Sequence, residues 1–481
     1  MINIYYNDED INYVELYELV KSFYPYDEIR FTNSFMSEEI LIFISIEKDD
    51  CYALMFSKGI CIEKEYMSIS ETNIFKDFKS TKKITVKKTL YKLLNKISKN
   101  HLPWGILTGI KPVKIPSQLL KLGIETDAIK DILINQYYIA SDKANLALIT
   151  AINQNKAIKN MNENSYSLYI HIPFCPSRCS YCAFPSLTID RYKNIVNDYM
   201  EKLNQEVKVI GSLMRKWHIN TIYIGGGTPT SIASELLEEL LINIRNLFPT
   251  VKELTVEAGR PETLDFEKLI IMKKYGVNRI SINPQTMNDD TLRRISRSHT
   301  SDDVIIAYKN AKEIGIETVN MDLIIGLPGE SLVDIKNTLD KIAPLKPDNL
   351  TIHALSLKKG SKLIKDQYIN MKSIKMIEEM QNECIKFAYE HSLKPYYLYR
   401  QKMIAGNLEN IGFSMEDNPC IYNISMMEEK ETIIGCGMGA TSKFYNRSND
   451  NIGRFVNPKD INLYFERFQD SIIKRAKMLE F

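Results

Sequence analysis

The chain has 481 residues, 44% of them hydrophobic and 25% charged, which is enough for two or three domains with their own cores and unlike the compositions that leave a chain disordered. Its 62 basic and 60 acidic side chains nearly cancel, so no global field draws a polyanion and nucleic acid is not expected as a partner. No cationic-then-apolar leader opens the sequence, and its apolar runs are strand-length, short of the ~20 residues a membrane span requires, so a cytoplasmic protein with no membrane span is expected.

Residues 1–160 have the texture of an accessory α/β domain. Short β-like runs at 39–46 and 51–56 precede lysine-rich, helix-like stretches. Between Lys76 and Lys99 nine lysines stand against one acid. Leu90, Leu93, Leu94 and Ile97 are helix-spaced among them, which favours the solvated face of an amphipathic helix over a polyanion site. The run Pro103-Trp-Gly-Ile-Leu-Thr-Gly-Ile-Lys-Pro112 suggests no chemistry of its own, and the polar stretch Asn153 to Ser165 marks the junction with the next domain.

From 161 to 370 the pattern alternates strand and helix. Strands are predicted at 168–174, 221–225, 254–258, 279–283, 319–327 and 350–355, with helices at 190–217, 234–248, 266–275, 302–314 and 332–345. In the second helix Leu237, Leu240, Leu241, Ile244 and Phe248 repeat at helical spacing, and Gly276 and Gly315 stop the third and fourth. Strands separated by such helices imply a parallel sheet with right-handed crossovers. Six in succession imply a barrel or an incompletely closed one, with functional residues at the carboxyl ends of the strands. Beyond 370, a helical stretch from Ile374 to His391 and the aromatic run Tyr396-Tyr-Leu-Tyr399 begin a smaller, largely helical C-terminal domain, residues 371–481.

The most informative residues follow the first barrel strand: Tyr169-Ile-His-Ile-Pro-Phe-Cys175-Pro-Ser-Arg-Cys179-Ser-Tyr-Cys182. The C-x3-C-x2-C spacing presents three thiolates to one metal centre. Three protein ligands on a four-iron cubane leave one iron open to a small molecule, whereas electron-transfer ferredoxins close all four. Structural zinc is the competing reading, but zinc prefers four Cys/His ligands, often as two C-x2-C pairs, and the sequence has no second pair. Cys51, Cys61, Cys384, Cys420 and Cys436 are scattered and read as small hydrophobes in a reducing compartment. Gly225-Gly-Gly-Thr-Pro-Thr230 follows the second strand without the G-x-G-x-x-G or GK ending of nucleotide-binding loops. Glu257 ends the third strand. His171 alternates with Tyr169 on one face of the first, where a satisfied core histidine and a functional one are both open.

The cysteine spacing resembles that of the radical S-adenosylmethionine (SAM) superfamily, and Y-x-H-I-P-F-C narrows the resemblance to its oxygen-independent coproporphyrinogen oxidase family. The run 103–112, the separate N-terminal domain and Pro395-Tyr-Tyr-Leu-Tyr-Arg-Gln-Lys402 resemble the HemZ group within it. The resemblance implies an α/β fold built on an open, partial (β/α)6 barrel. It also implies a 4Fe-4S cluster on Cys175, Cys179 and Cys182, with SAM chelated at the open iron. Carried over residue by residue, Tyr169, Gly226 and Glu257 match contacts to a first SAM. Tyr181, Gly227, Thr228, Gln285, Arg297 and Asp322 match contacts to a second, with Ala354 by position after the sixth strand, and Tyr169 and His171 are the catalytic candidates. Gln285-x11-Arg297 and Asn320-Met-Asp-Leu-Ile-Ile-Gly-Leu-Pro328 keep the family's pattern. Two departures stand out: Glu257-Ala-Gly-Arg-Pro261 replaces E-A-N-P, and Phe184 takes the place of a fourth, non-ligating cysteine, where heme-chaperone relatives also have an aromatic residue.

The implied activity is radical decarboxylation of two propionates of coproporphyrinogen III to vinyls, giving protoporphyrinogen IX, with a reducing partner such as flavodoxin or ferredoxin. Arg260, Arg400, Lys402 and Tyr396 to Tyr399 are candidates by type for the carboxylates of the tetrapyrrole. A heme chaperone that keeps the cluster, and an enzyme that degrades or methylates heme, are the alternatives. RNA modification is disfavoured by the balanced charge.

Overall fold

A computed structural model describes the chain apart from residues 8–12, 26, 34–38, 73–77, 100, 160, 163, 357–362, 364–373, 402–406 and 480–481. It divides into two compact units, residues 1–152 with 400–403, and residues 153–399 with 404–481.

The first unit is built on a five-stranded sheet in the order β2-β1-β3-β4-β5. Strand β1 (Ile2–Tyr6) runs parallel to β2 (Ile29–Phe31) and to β3 (Ile40–Glu47). Strands β3, β4 (Asp50–Ser57) and β5 (Ile60–Ser68) form an antiparallel meander. The turn between β4 and β5 places Lys58 and Gly59 both at positive φ, the arrangement that matches the twist of a tight hairpin.

The helix Phe78–Ser98 packs on β4 and β5 and also against the helices Tyr13–Phe23 and Thr126–Tyr137. Over residues 84–91 it is therefore enclosed, whereas its C-terminal turns keep a solvated face. Lys87 and Lys88 are 6% and 5% exposed, with Lys87 Nζ 3.4 Å from Glu15 and Lys88 Nζ donating to Gln136 at 2.9 Å. Among the described lysines of the run, Lys92, Lys96 and Lys99 keep the exposure expected of all of them. The 103–112 run is a packing hub. Trp104 is buried, and a Cβ on Gly105 would come within 2.1 Å of the Tyr137 carbonyl. Leu107 and Ile110 offer their carbonyls to the guanidinium and backbone N–H of Arg400.

The second unit holds an eleven-stranded sheet. Its centre is six parallel strands in the order predicted: β6 (Ser165–Ile172), β9 (His218–Gly226), β10 (Glu253–Glu257), β11 (Arg279–Ser281), β12 (Thr318–Ile325) and β13 (Asn349–Ala354). Two-residue strands β7 (Phe174–Cys175) and β8 (Leu187–Thr188) pair across the base of the cysteine loop. The helices Lys193–Leu213, Ser234–Leu247, Phe266–Lys274, Ser301–Glu313 and Leu332–Ile342 lie where the periodicity put them. Asp265 and Thr300 start two of them by accepting backbone N–H bonds from Lys268 and Asp303.

Segment 371–481 keeps helices, at Ile374–Glu390, Ile421–Glu428, Ile461–Glu466 and Phe468–Leu479, but it also supplies five strands to this same sheet, so it is not a body of its own. Strand β15 (Asn410–Ser414) runs antiparallel to β13, with β14 (Lys394–Tyr399) outside it. On the other edge β16 (Thr432–Cys436) runs parallel to β6 and is followed by β17 (Thr441–Asn446) and β18 (Asn451–Val456). The physical reason is edge protection: a six-stranded partial barrel leaves the N–H and C=O groups of its first and last strands open, and these strands pair them. Among the described residues β14 and β18 do not pair with each other, so the barrel stays open. A buried ion pair, Glu206 with Arg475, ties the last helix to the helix that follows the cysteine loop. Among the described residues no helix is long and apolar enough to cross a membrane.

Candidate metal centre

Strand β6 delivers the three thiols and the backbone holds them. Leu187 N–H donates to the Pro173 carbonyl at 2.8 Å, Ser180 N–H to Ile295 at 3.1 Å, and Cys182 N–H to Cys179 at 3.1 Å. The glycine-rich turn after β9 lies directly on this loop, with Gly227 N–H donating to Ile172 at 2.8 Å and Thr228 N–H to Phe174 at 2.7 Å. A Cβ on Gly227 would stand 2.5 Å from the Phe174 carbonyl oxygen, closer than any real side chain comes to backbone. Gly227→Ala is therefore expected to cost about 1–3 kcal/mol by overpacking and to lower the iron retained per chain after reconstitution, measured by melting and by iron analysis.

Cys175, Cys179 and Cys182 are half-buried thiols outside any disulfide. Burial pushes Cys175 up to about 11, opposed by the Thr228 hydroxyl, which donates to its sulfur at 3.6 Å. Arg260 Nη1 donates to the Cys179 sulfur at 3.2 Å. Among the described residues no group of three His, Cys, Asp or Glu side chains is placed to hold a single metal ion. A cubane takes each thiolate on a different iron, and three thiols on one loop, with donors on Cys175 and Cys179, fit it.

Next to the loop, Tyr169 and His171 point from β6 with the Tyr169 hydroxyl 3.1 Å from Nδ1 of the histidine. Burial drops His171 to about 4, so it is neutral at pH 7. Tyr169, Tyr223 and Tyr422 stack, with Tyr223 and Tyr422 ring centres 4.5 Å apart. Tyr223 donates to Glu257 Oε1 at 2.6 Å, and Gly226 N–H donates to Oε2 at 3.2 Å. Burial raises the Glu257 carboxyl to about 7 in spite of these donors, and nearby Asp322 adds to the rise. A carboxyl raised in the folded state contributes stability below its unfolded value of 4.5 and loses it as pH climbs toward 7. Glu257→Gln is accordingly expected to melt higher than the parent at pH 8, by on the order of 2 kcal/mol, with the two curves converging near pH 4.5.

The remaining predicted residues gather around the ends of β11 and β12. Gln285 sits at φ +65°, where its N–H donates to the Asp322 carbonyl at 2.9 Å and its own carbonyl accepts from Ile324 at 2.9 Å. Among the described residues its side-chain Oε1 is buried with no partner, as is Oδ1 of Asn283. A non-glycine residue held left-handed beside an unsatisfied buried acceptor is local strain of the kind that clusters at functional sites. Arg297 bridges the Tyr181 hydroxyl at 3.1 Å, the Asn283 carbonyl at 2.8 Å and the Gly259 carbonyl. Asp322 accepts from Asn320 at 2.8 Å and lies 3.7 Å from His353 Nε2; burial works to raise its carboxyl, but the bonds from His353, Asn320 and Thr351 hold it below the usual value. Ala354 ends β13, fully packed, its N–H donating to Asn410 at 3.0 Å.

The residues proposed by type for carboxylate binding are dispersed. Arg260 is turned to Cys179, Arg400 belongs to the N-terminal unit, and Lys402 lies outside the described residues. Tyr396 and Tyr397 are buried, while the Tyr399 hydroxyl is 3.5 Å from His353 Nδ1. Phe184 is 62% exposed. The sequence reading missed Tyr223, Asn283 and Tyr422. Alternation with Gly225 along β9 was an available signal for Tyr223, whereas Tyr422 arrives from a distant helix with no local mark.

A Radical SAM superfamily model matches residues 169–342. The chain is 40% identical over 385 residues to the oxygen-independent coproporphyrinogen-III oxidase-like protein HemZ of Bacillus subtilis (strain 168), covering 78% of this chain and 77% of that one. It is 39% identical over 192 residues to the heme chaperone HemW of the same organism, covering 39% of this chain and 50% of HemW. Among solved structures, the radical SAM coproporphyrinogen III oxidase HemN of Escherichia coli aligns with a TM-score of 0.53 at 23% identity, over 67% of this chain and 73% of HemN, a likeness of fold.

Proposed function

The chain belongs to the oxygen-independent coproporphyrinogen-III oxidase-like family of radical SAM proteins, and from that premise we propose that it is a coproporphyrinogen III dehydrogenase, converting two propionates to vinyls to give protoporphyrinogen IX. The observation that carries this reading is the extent of the likeness to HemZ: a match over 78% of the chain takes in sequence on both sides of the barrel.

Cys175, Cys179 and Cys182 would hold the 4Fe-4S cluster. Tyr169, Gly226 and Glu257 would contact one SAM. Tyr181, Gly227, Thr228, Gln285, Arg297 and Asp322 would contact a second, beside Ala354. When bound, cluster and SAM supply a single electron and a 5′-deoxyadenosyl radical able to take hydrogen from an unactivated carbon, the propionate β-position here. The chain's own residues bind and orient. Gln285 Oε1 and Asn283 Oδ1 offer acceptors to ligand hydroxyl or amino groups, and neutral His171 fixes the Tyr169 hydroxyl. The electron comes from a low-potential partner of the flavodoxin or ferredoxin class.

A second reading, a heme chaperone, draws on the 39% identity to HemW and on the aromatic Phe184. The two part in one anaerobic experiment: reconstituted protein, SAM, a low-potential reductant, an electron acceptor and coproporphyrinogen III, read by mass. Stepwise loss of two CO2 is expected. Intact propionates together with stoichiometric heme binding would replace the dehydrogenase by the chaperone.

A further inference from the structure

Arg260 falls in the stretch that departs from E-A-N-P, and the function proposed above makes no use of it. It is 3% exposed and fully engaged. Besides the 3.2 Å bond to the Cys179 sulfur, Nη2 donates to Ser177 at 3.0 Å and to Ser298 at 3.4 Å, and Nε donates to Glu262 Oε1 at 2.8 Å. The other oxygen of Glu262 stands 3.1 Å from His299 Nδ1. Every edge of the planar guanidinium therefore has an acceptor, and the fork has no free side for a propionate. The contacts fix the cation against one ligand sulfur before any substrate arrives.

We propose that Arg260 is a positioning residue that raises the reduction potential of the cluster held by Cys179, an inference that rests on the radical SAM reading. The step concerned is the uptake of one electron from an external low-potential donor; no bond to Arg260 forms or breaks, and no proton moves on it. The reduced cluster is the more negative state, so a buried cation and an N–H bond on a ligand sulfur favour it over the oxidised one. Glu262, on the far side of the guanidinium from the sulfur, orients the cation and moderates its field.

The test is a potentiometric titration of the anaerobically reconstituted full chain, followed by electron paramagnetic resonance without SAM or substrate. Arg260→Met is expected to assemble its cluster and to show an oxidised-to-reduced ratio about tenfold higher at a fixed potential, a midpoint about 59 mV lower for a one-electron couple. Arg260→Lys, which keeps the charge without the fork, falls between the two. Glu262→Gln shifts the midpoint upward. An unchanged midpoint in Arg260→Met at full iron content overturns the proposal and leaves the family reading untouched. If the parent protein assembles no four-iron cluster, both fall. Should Arg260→Met not retain iron, Glu262→Gln decides: an upward shift upholds the proposal and an unmoved midpoint overturns it.

Discussion

Cys179→Ala protein, reconstituted anaerobically with iron and sulfide, is expected to emerge without the brown absorbance of an iron-sulfur cluster and to cleave SAM more than about a hundredfold more slowly than the parent. Loss of an outer-shell partner already costs a metal site about 10–100-fold, and here a donor atom is lost together with the sulfur that Arg260 faces. The loop itself should stay folded, because Ser180 and Leu187 are held through backbone bonds that the substitution does not touch. Circular dichroism of the variant should thus match the parent. Cys61→Ser, at an exposed thiol on β5, is the control expected to keep its full iron content. A Cys179→Ala protein with full iron content would remove the basis for the cluster assignment.

The largest effect on stability is expected at Glu206 and Arg475, whose side chains are each 1% exposed. Glu206 Oε1 accepts from Arg475 and from Asn457 at 2.9 Å. Its Oε2 accepts from Tyr464 at 2.6 Å and from Gly437 N–H at 2.7 Å. Arg475→Ala leaves that carboxylate buried without a cation, a loss of about 3–5 kcal/mol and on the order of 10 °C in the melting of the barrel unit. The contrast is Lys156 with Glu416, 2.7 Å apart but 66% and 52% exposed. Glu416→Ala is expected to leave the melting temperature unchanged, because water and salt screen that pair. Equal losses at the two sites would show that the buried network contributes no more than a surface contact.

The barrel was legible because its signals are local. Helical spacing within 234–248 and 302–314, and strand-length apolar runs between them, are written in consecutive residues. The thiol loop was legible because ligand spacing is a property of the sequence itself. The C-terminal strands were not: runs such as Thr432-Ile-Ile-Gly-Cys436 are too short to separate strand from buried helix by pattern, and their partners lie on β6 and β13, far back in the chain. Lys87 and Lys88 misled for a related reason. Lysine ordinarily means solvent, yet this part of the helix is covered by a sheet and two other helices, and both ammonium groups reach polar partners from within. Arg260 could be singled out by type, but its direction depends on Ser177, Glu262 and Ser298, which only the fold assembles.

The pairing of β16 with β6 also sets an order of events in the cell. Tyr166, ahead of the thiol loop, has its ladder partner at Thr432, so one side of the strand that leads into the cysteines stays bare until residue 432 has left the ribosome. Domains emerging N-terminus first fold as units when their contacts are local, and this one must wait for a contact of long sequence separation. Iron and sulfide delivered to a nascent chain would meet a half-built edge. A chain that ends before residue 432 has all three thiols, but the backbone groups of β6 that face β16 have no strand to pair with.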